Sequence, residues 1–177
     1  DFERPVFLLA PGTALPAVRA DLSRLADSAG TFNELRKRYD LPLLWQYVTL
    51  AEGVHCSYPA HGHFPQDFDP RKRPWYLEAA ATENPVWNHS QFDTTTRLPV
   101  FTTSMTVHRP DGSFAGVTAL DVILEPFAMA GILPLSWEGD LEIWLAMTEQ
   151  GPTLGDLPVF KILARQPAGS TTATWSP

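Results

Sequence analysis

The string Phe68-Asp69-Pro70-Arg71-Lys72-Arg73-Pro74-Trp75-Tyr76 gathers a carboxylate, three cations and the aromatic pair Trp75 and Tyr76 where a loop runs into a helix. Arg73 presents a planar fork of donors that matches a carboxylate in two places, and Trp75 and Tyr76 offer apolar walls with polar tips. The same residues also have a purely structural use. Asp69 caps local backbone groups and pairs with Arg71, and Trp75 joins a core. A second signal lies downstream. The segment Phe114 to Leu124, FAGVTALDVIL, is apolar on both faces of a strand apart from Thr118 and Asp121. An ionised acid in such a segment needs a cation or several donors, because burying it unpaired costs several kcal/mol. Arg73 or a ligand ammonium meets that need, and so does protonation or internal pairing of a structural acid.

Further candidates stand nearby. Alternation along Val100 to Thr106 puts Thr102 and Ser104 on one strand face, with Phe101, Thr103 and Met105 on the other, so a hydroxyl row is available to line a cavity. Asp93, directly after Phe92, supplies a second carboxylate at its rim. Each of these also fits an ordinary strand or turn position. His55, Cys56, His61 and His63 fall within nine positions, with His89 further along, which makes a His-rich metal centre the rival reading. Their spacing matches no defined zinc motif. No GxSxG string, HExxH pair or glycine-rich phosphate loop occurs, so neither an enzyme nor a bound cofactor is expected.

These residues need elements to hold them. Leu15, Val18, Leu22, Leu25, Ala29 and Phe32 recur at steps of three and four, which predicts a helix from Leu15 to near Asp40. Gly30 interrupts it, and Thr31 with Glu34 has the form of a capping box that restarts it. The stripe serves either to pack on a sheet or as the seam of a homodimer. Beyond Pro42, β-formers cluster in Leu44 to Leu50, Val86 to Asn88, Val100 to His108 and Phe114 to Leu124. Arg109-Pro110-Asp111-Gly112 joins the last two as a hairpin. His61 to Arg73 reads as a long loop, and Pro74 opens a short helix. Pro126, Gly131 and Pro134 mark a linker; Leu141 to Met147 and Val159 to Ala164 read as strands, and Gln166 to Pro177 as a fraying tail.

Composition bounds the rest. The 177 residues are 44% hydrophobic and 19% charged, the balance of a folded chain and not of a disordered one. A net charge of -7 leaves no broad basic surface, which argues against nucleic acid as a partner. Cys56 is the only cysteine, so no intramolecular disulfide forms. No run of about 18 apolar residues occurs. The start at Asp1 without Met is what a mature secreted fragment or a piece of a longer protein would show, and it leaves room for flanking membrane helices.

The pattern FDPRxRPWY, followed by DGxxxGVxxxDV, resembles the double Cache family of extracytoplasmic sensors found in chemoreceptors, histidine kinases and cyclic-dinucleotide enzymes. The match runs from Tyr47 to Leu124 and takes in Tyr58-Pro59, Trp87, and Asp111 and Gly112 leading to Gly116, Val117 and Asp121. The resemblance implies an α+β fold: a long N-terminal helix (1–40), a PAS-like antiparallel sheet of about five strands with flanking helices (41–127) and a smaller membrane-proximal α+β module (128–177). It implies a membrane-anchored parent and a pocket for a small-molecule ligand, an amino acid, an amine or a carboxylate. In the amino-acid-binding subgroup, the positions of Arg73 and Trp75 hold the ligand carboxylate and that of Asp121 the amino group. Two tyrosines of that subgroup fall on Phe68 and on Phe92 or Gln91. A partner-binding module without ligand is the remaining alternative.

Overall fold

The computed structural model describes residues 4–39, 42–93, 95–124, 143–148, 160–166 and 174–175. The β-rich runs become strands β2 (Leu43–Leu50), β4 (Val86–Phe92), β5 (Pro99–His108) and β6 (Phe114–Ile123). Two further strands lack a sequence signature. One is β1 (Val6–Leu9), whose four apolar residues show no alternation, and the other is β3 (Val54–Tyr58), whose His, Cys and Ser conceal its complete burial. The six form one antiparallel sheet in the order β1-β3-β2-β6-β5-β4. The segment expected to be helical from the start therefore opens with an edge strand that pairs Val6 with Ser57.

A 3-10 turn at Leu15–Val18 leads into α1 (Arg19–Ala26) and α2 (Ser28–Arg38). The expected long helix is thus divided at Asp27. Gly30 lies inside α2, where it costs about 1 kcal/mol relative to Ala, and Thr31 with Glu34 makes no cap. The apolar stripe is spent on the chain's own sheet: Val18, Leu22 and Leu25 pack on Leu50, Val54 and Ala115, and Ala29 and Phe32 on Cys56 and Tyr58.

The opposite sheet face receives α3 (Pro74–Ala80), which buries Trp75, Tyr76 and Ala79 against Tyr47, Val117 and Ala119. β6 is buried on both faces, as its composition requires. Gly116 allows β6 to approach β2, since a Cβ there would sit 2.1 Å from the Thr49 carbonyl oxygen. The expected hairpin closes with Gly112 at φ 85°, and Asp111 accepts from the backbone N–H and hydroxyl of Ser113.

Strands β7 (Ile143–Thr148), β8 (Phe160–Gln166) and β9 (Thr174–Trp175) form a second, three-stranded antiparallel sheet. The tail expected to fray therefore contributes β9, which pairs with Ala164 and Arg165. The linker at Pro126, Gly131 and Pro134, and the strand ends at Leu141 and Val159, lie outside the described residues. Among the described residues no helix is long and apolar enough to cross a membrane.

Candidate ligand-binding site

Asp69 performs the structural task assigned to it. Its carboxylate caps the 3-10 turn Pro70–Lys72 through the Arg71 backbone N–H at 3.1 Å and receives the Arg71 guanidinium in a two-pronged pair, both contacts at 2.9 Å. That pairing holds the Asp69 carboxyl below the usual carboxylate range. Arg71 also donates to the Ala51 carbonyl at 3.1 Å and so fastens the loop to the β2–β3 turn. Arg73 then sits at the N-cap of α3, with Pro74 fixing the first helical position. Its guanidinium lies 5.8 Å from the centre of the Phe68 ring, and among the described residues no carboxylate pairs with it.

The sheet supplies the opposite charge. Asp121 has Trp45 and Thr102 as its direct cross-strand neighbours on β2 and β5. It is 7% exposed. Both of its hydrogen bonds from described residues reach Oδ1, from Thr102 Oγ1 at 2.6 Å and from the Tyr47 hydroxyl at 2.9 Å. Burial pushes its carboxyl up to about 6, against the pull of those two donors, which favour the charged form. The Tyr47 hydroxyl is in turn driven well above its ordinary range by burial and by the neighbouring Asp121 charge.

A third wall is aromatic. His55 is buried on β3, with Nδ1 2.7 Å from Thr49 Oγ1; burial, reinforced by nearby His61, brings its pKa down to about 3 and keeps it neutral. His61 stacks on Trp45 at 3.8 Å and 21°, and its Nδ1 is 3.1 Å from the Pro59 carbonyl, which can only accept, so the proton resides on Nδ1. Burial lowers the pKa of His61 as well. Phe64, 4.9 Å from His61, and Phe68, 5.3 Å from Phe64, continue the wall. The histidine cluster read from spacing is divided by strand alternation. His55 faces this side, and Cys56 lies on the other face with Phe32 and Tyr58. Among the described residues no group of three or more His, Cys, Asp or Glu side chains is arranged to hold a metal ion.

The three walls enclose a cavity of about 70 Å³, room for about five waters or a small metabolite. Of the residues expected at the site, Arg73, Trp75, Phe92, Asp93 and Asp121 line it together. Tyr76, Thr102 and Ser104 do not line it. Tyr76 turns into the core beside Phe114, Thr102 stands behind Asp121, and Ser104 donates to the Trp75 carbonyl at 2.9 Å, because a buried hydroxyl must find an acceptor. Asp93 reaches the cavity with its carboxylate already engaged by Trp45 and by the turn at Thr95 and Thr96. Sequence reasoning missed Trp45, Tyr47, His55, Ser57, His61 and Phe64 as lining residues. The signal that could have found them is the alternation of Trp45, Tyr47 and Thr49 on β2, opposite Asp121.

No protein-family model matches the chain, and no curated protein does. Solved structures do. The ligand-binding domain of the amino acid chemoreceptor PctB of Pseudomonas aeruginosa, in complex with L-Arg, superposes with a TM-score of 0.55 at 22% identity, over 77% of this chain and 57% of that one. The same receptor with L-Gln gives a TM-score of 0.51 at 23% identity, over 59% and 42%. The domain of PctC from the same organism, in complex with GABA, gives 0.44 at 28% identity, over 48% and 39%. The chain spans between 39% and 57% of the length of these domains. Its six-stranded sheet with helices on both faces therefore has the Cache-type, PAS-like fold of the ligand-binding domains of bacterial chemoreceptors.

Proposed function

We propose that this chain is the extracytoplasmic small-molecule sensing domain of a bacterial transmembrane signalling receptor, a chemoreceptor, histidine kinase or cyclic-dinucleotide enzyme. It binds an amino acid or related small zwitterion between Arg73 and Asp121. The observation that carries this reading is the pair of opposite charges facing one cavity without pairing to each other: a guanidinium resting on Phe68 and a buried carboxylate whose Oδ2 takes no hydrogen bond from the described residues. A carboxylate ligand satisfies the first and an ammonium the second. The fold supports the reading, since the PctB domain that superposes is itself a complex with an amino acid. The site lies in the module from residue 41 to 127, and the sheet of β7–β9 belongs to a smaller module, 128–177, on the membrane side. Binding draws the α3 wall toward the sheet, and the signal is the ligand's differential affinity for the two arrangements.

Thermal denaturation against a panel of amino acids, amines and carboxylates tests this. One class should stabilise the chain, by about 2.7 kcal/mol at a hundredfold excess over Kd. Arg73→Ala and Asp121→Ala should each abolish that gain with the fold intact. Ligand-induced stabilisation that survives either substitution refutes the assigned roles.

A further inference from the structure

The aromatic wall of the cavity carries two histidines whose ring protons are fixed in opposite senses. Thr49 is fully buried and lies outside the cavity lining, and among the described residues its hydroxyl has His55 Nδ1, at 2.7 Å, as its one hydrogen-bond partner. A buried hydroxyl must find an acceptor, so Thr49 donates, Nδ1 holds a lone pair, and the proton of the His55 ring sits on Nε2. His61 is the reverse. The Pro59 carbonyl, 3.1 Å from Nδ1, takes the proton there and leaves Nε2 as an acceptor.

These two remaining nitrogens belong to one end of the cavity. His55 and His61 both line it, and Phe64 meets both rings, 5.8 Å from His55 and 4.9 Å from His61. Among the described residues neither Nε2 has a hydrogen-bond partner, and the one buried side-chain polar atom shut away without a partner is Gln46 Oε1, so neither Nε2 is sealed inside the protein. Ser57, two positions from His55 on β3, adds a hydroxyl to the lining. Its 3.4 Å contact is with the His61 Nδ1 that already carries a proton, so the hydroxyl hydrogen can turn toward a ligand. Burial lowers the pKa of both histidines, so this end of the cavity offers donors on β3 and an acceptor on the loop without a formal charge.

Resting on the reading above, we propose that His55 and His61 are specificity-determining residues that read an uncharged carboxamide on the side chain of the zwitterion, His55 Nε2–H donating to the carboxamide oxygen and His61 Nε2 accepting from its NH2 group. A carboxylate of the same shape has no hydrogen for His61 and sets two acceptors against each other. An aliphatic side chain leaves the His55 N–H unpaired. A site built to hydrogen-bond a group rejects the analogue that lacks it more steeply than an apolar pocket separates ligands by size.

Isothermal titration of the full chain at neutral pH with L-glutamine, L-asparagine, L-glutamate, L-aspartate, L-methionine and L-leucine tests this. The better amide should bind at least about tenfold more tightly than its isosteric acid and than either apolar amino acid, a difference of about 1.4 kcal/mol. His61→Phe keeps a ring on Trp45 but has no acceptor, and should collapse the ratio of amide to methionine affinity, which a merely structural defect would leave in place because it weakens every ligand alike. Long-range nitrogen NMR of the histidine rings supplies a readout that needs no ligand: His55 should be the Nε2-protonated tautomer and His61 the Nδ1-protonated one. The opposite tautomer at either ring overturns the proposal. An acid or an apolar member binding as tightly as the better amide also overturns it, and leaves the Arg73–Asp121 site standing provided Arg73→Ala abolishes that binding. Failure of all six to bind overturns this inference, and the site falls with it if no other zwitterion stabilises the chain.

Discussion

Asp121 is where burial and hydrogen bonding oppose each other, and burial wins: two hydroxyl donors fail to bring the carboxyl below about 6. The group is still mostly ionised at neutral pH, so it can hold an ammonium, yet it lies close enough to its titration point to lose that capacity in mild acid. Removing one donor should move that point upward. Tyr47→Phe keeps the ring against Trp75 and His55 but deletes a bond to the charged form worth about 1.5–3 kcal/mol, equivalent to roughly one to two pH units. Titration calorimetry between pH 5 and 8 should show wild-type affinity falling as the pH drops through about 6, with the fall in Tyr47→Phe beginning at higher pH. A midpoint shared by both proteins would mean that the Tyr47 hydroxyl does not tune the carboxylate. Arg73 and Asp121 were legible in the sequence because each is a charge out of place, one at a loop-helix junction and one in an apolar strand. Trp45, His55 and His61 were not, since their place beside Asp121 comes from strand register and a loop path that no local pattern states. Asp93 was readable as a rim carboxylate but not as one that also braces Trp45 and a turn, because those donors come from a turn and a distant indole.

At the scale of elements, the cavity depends on how α3 is held over the sheet. Ser104 ties β5 to the Trp75 carbonyl, Asn88 of β4 bonds Glu78 of α3, and the Asp69–Arg71 pair fastens the preceding turn to Ala51. Asp69 lies outside the cavity lining, so its effect on binding passes through the lining residues that flank it, Phe68 and Arg73. Asp69→Ala removes a cap and both prongs of a charge-assisted pair, and should cost about 1–3 kcal/mol in a denaturant titration. Ligand affinity should weaken as well. An unaltered Kd in the destabilised variant would show that Arg73 needs no clamp. β2 is the strand that joins the two sheet faces: Trp45 and Tyr47 line the cavity, and between them Gln46 points the other way and donates to the Phe32 carbonyl of α2 at 3.3 Å. A displacement of the cavity wall therefore reaches the N-terminal helices through β2, and through β3 as well, where His55 lines the cavity and Cys56 packs on Phe32. The helical stripe, the hairpin and the central strands β2, β5 and β6 could be read in advance, as their periodicities are strong and their turn residues specific. β3 could not, because a strand buried on both faces need not alternate, and the polar side chains of His55 and Ser57 resemble a loop until their partners Thr49 and His61 are known.

Over the whole molecule, the sequence conveyed a folded α+β chain with a PAS-like sheet, but not the edge strand β1 or the closing strand β9, both too short to carry a pattern. What the fold does to its buried ionisable groups sets a pH profile that can be worked out by sign. Asp121 has a folded-state pKa raised from 3.8 to about 6, so its stabilising contribution is complete below pH 3.8 and is lost as the pH rises toward 6. Its loss corresponds to roughly 3 kcal/mol. His55 works in the opposite direction. Its folded-state pKa is lowered from 6.5 to about 3, so its contribution is complete above pH 6.5 and disappears as the pH falls toward 3, roughly 5 kcal/mol in all. The histidine effect is the larger, so the unliganded chain loses stability in acid, and between about pH 6 and 4 Asp121 offsets part of the loss. Asp121→Asn removes the offset without removing the oxygen that accepts from Tyr47 and Thr102. The variant should be more stable than wild type at pH 7 to 8, by up to about 3 kcal/mol, and the two should converge near pH 4. Denaturation of both proteins across that range checks it, and a gap that stays constant with pH would mean that the Asp121 charge carries no penalty in the empty cavity. If the gap closes as expected, the empty site stores the cost of an uncompensated charge, and a ligand ammonium relieves that same cost. The difference between empty and occupied states then has a physical source in one buried carboxylate, and ligand-induced stabilisation should be greater at pH 7.5 than at pH 4.5.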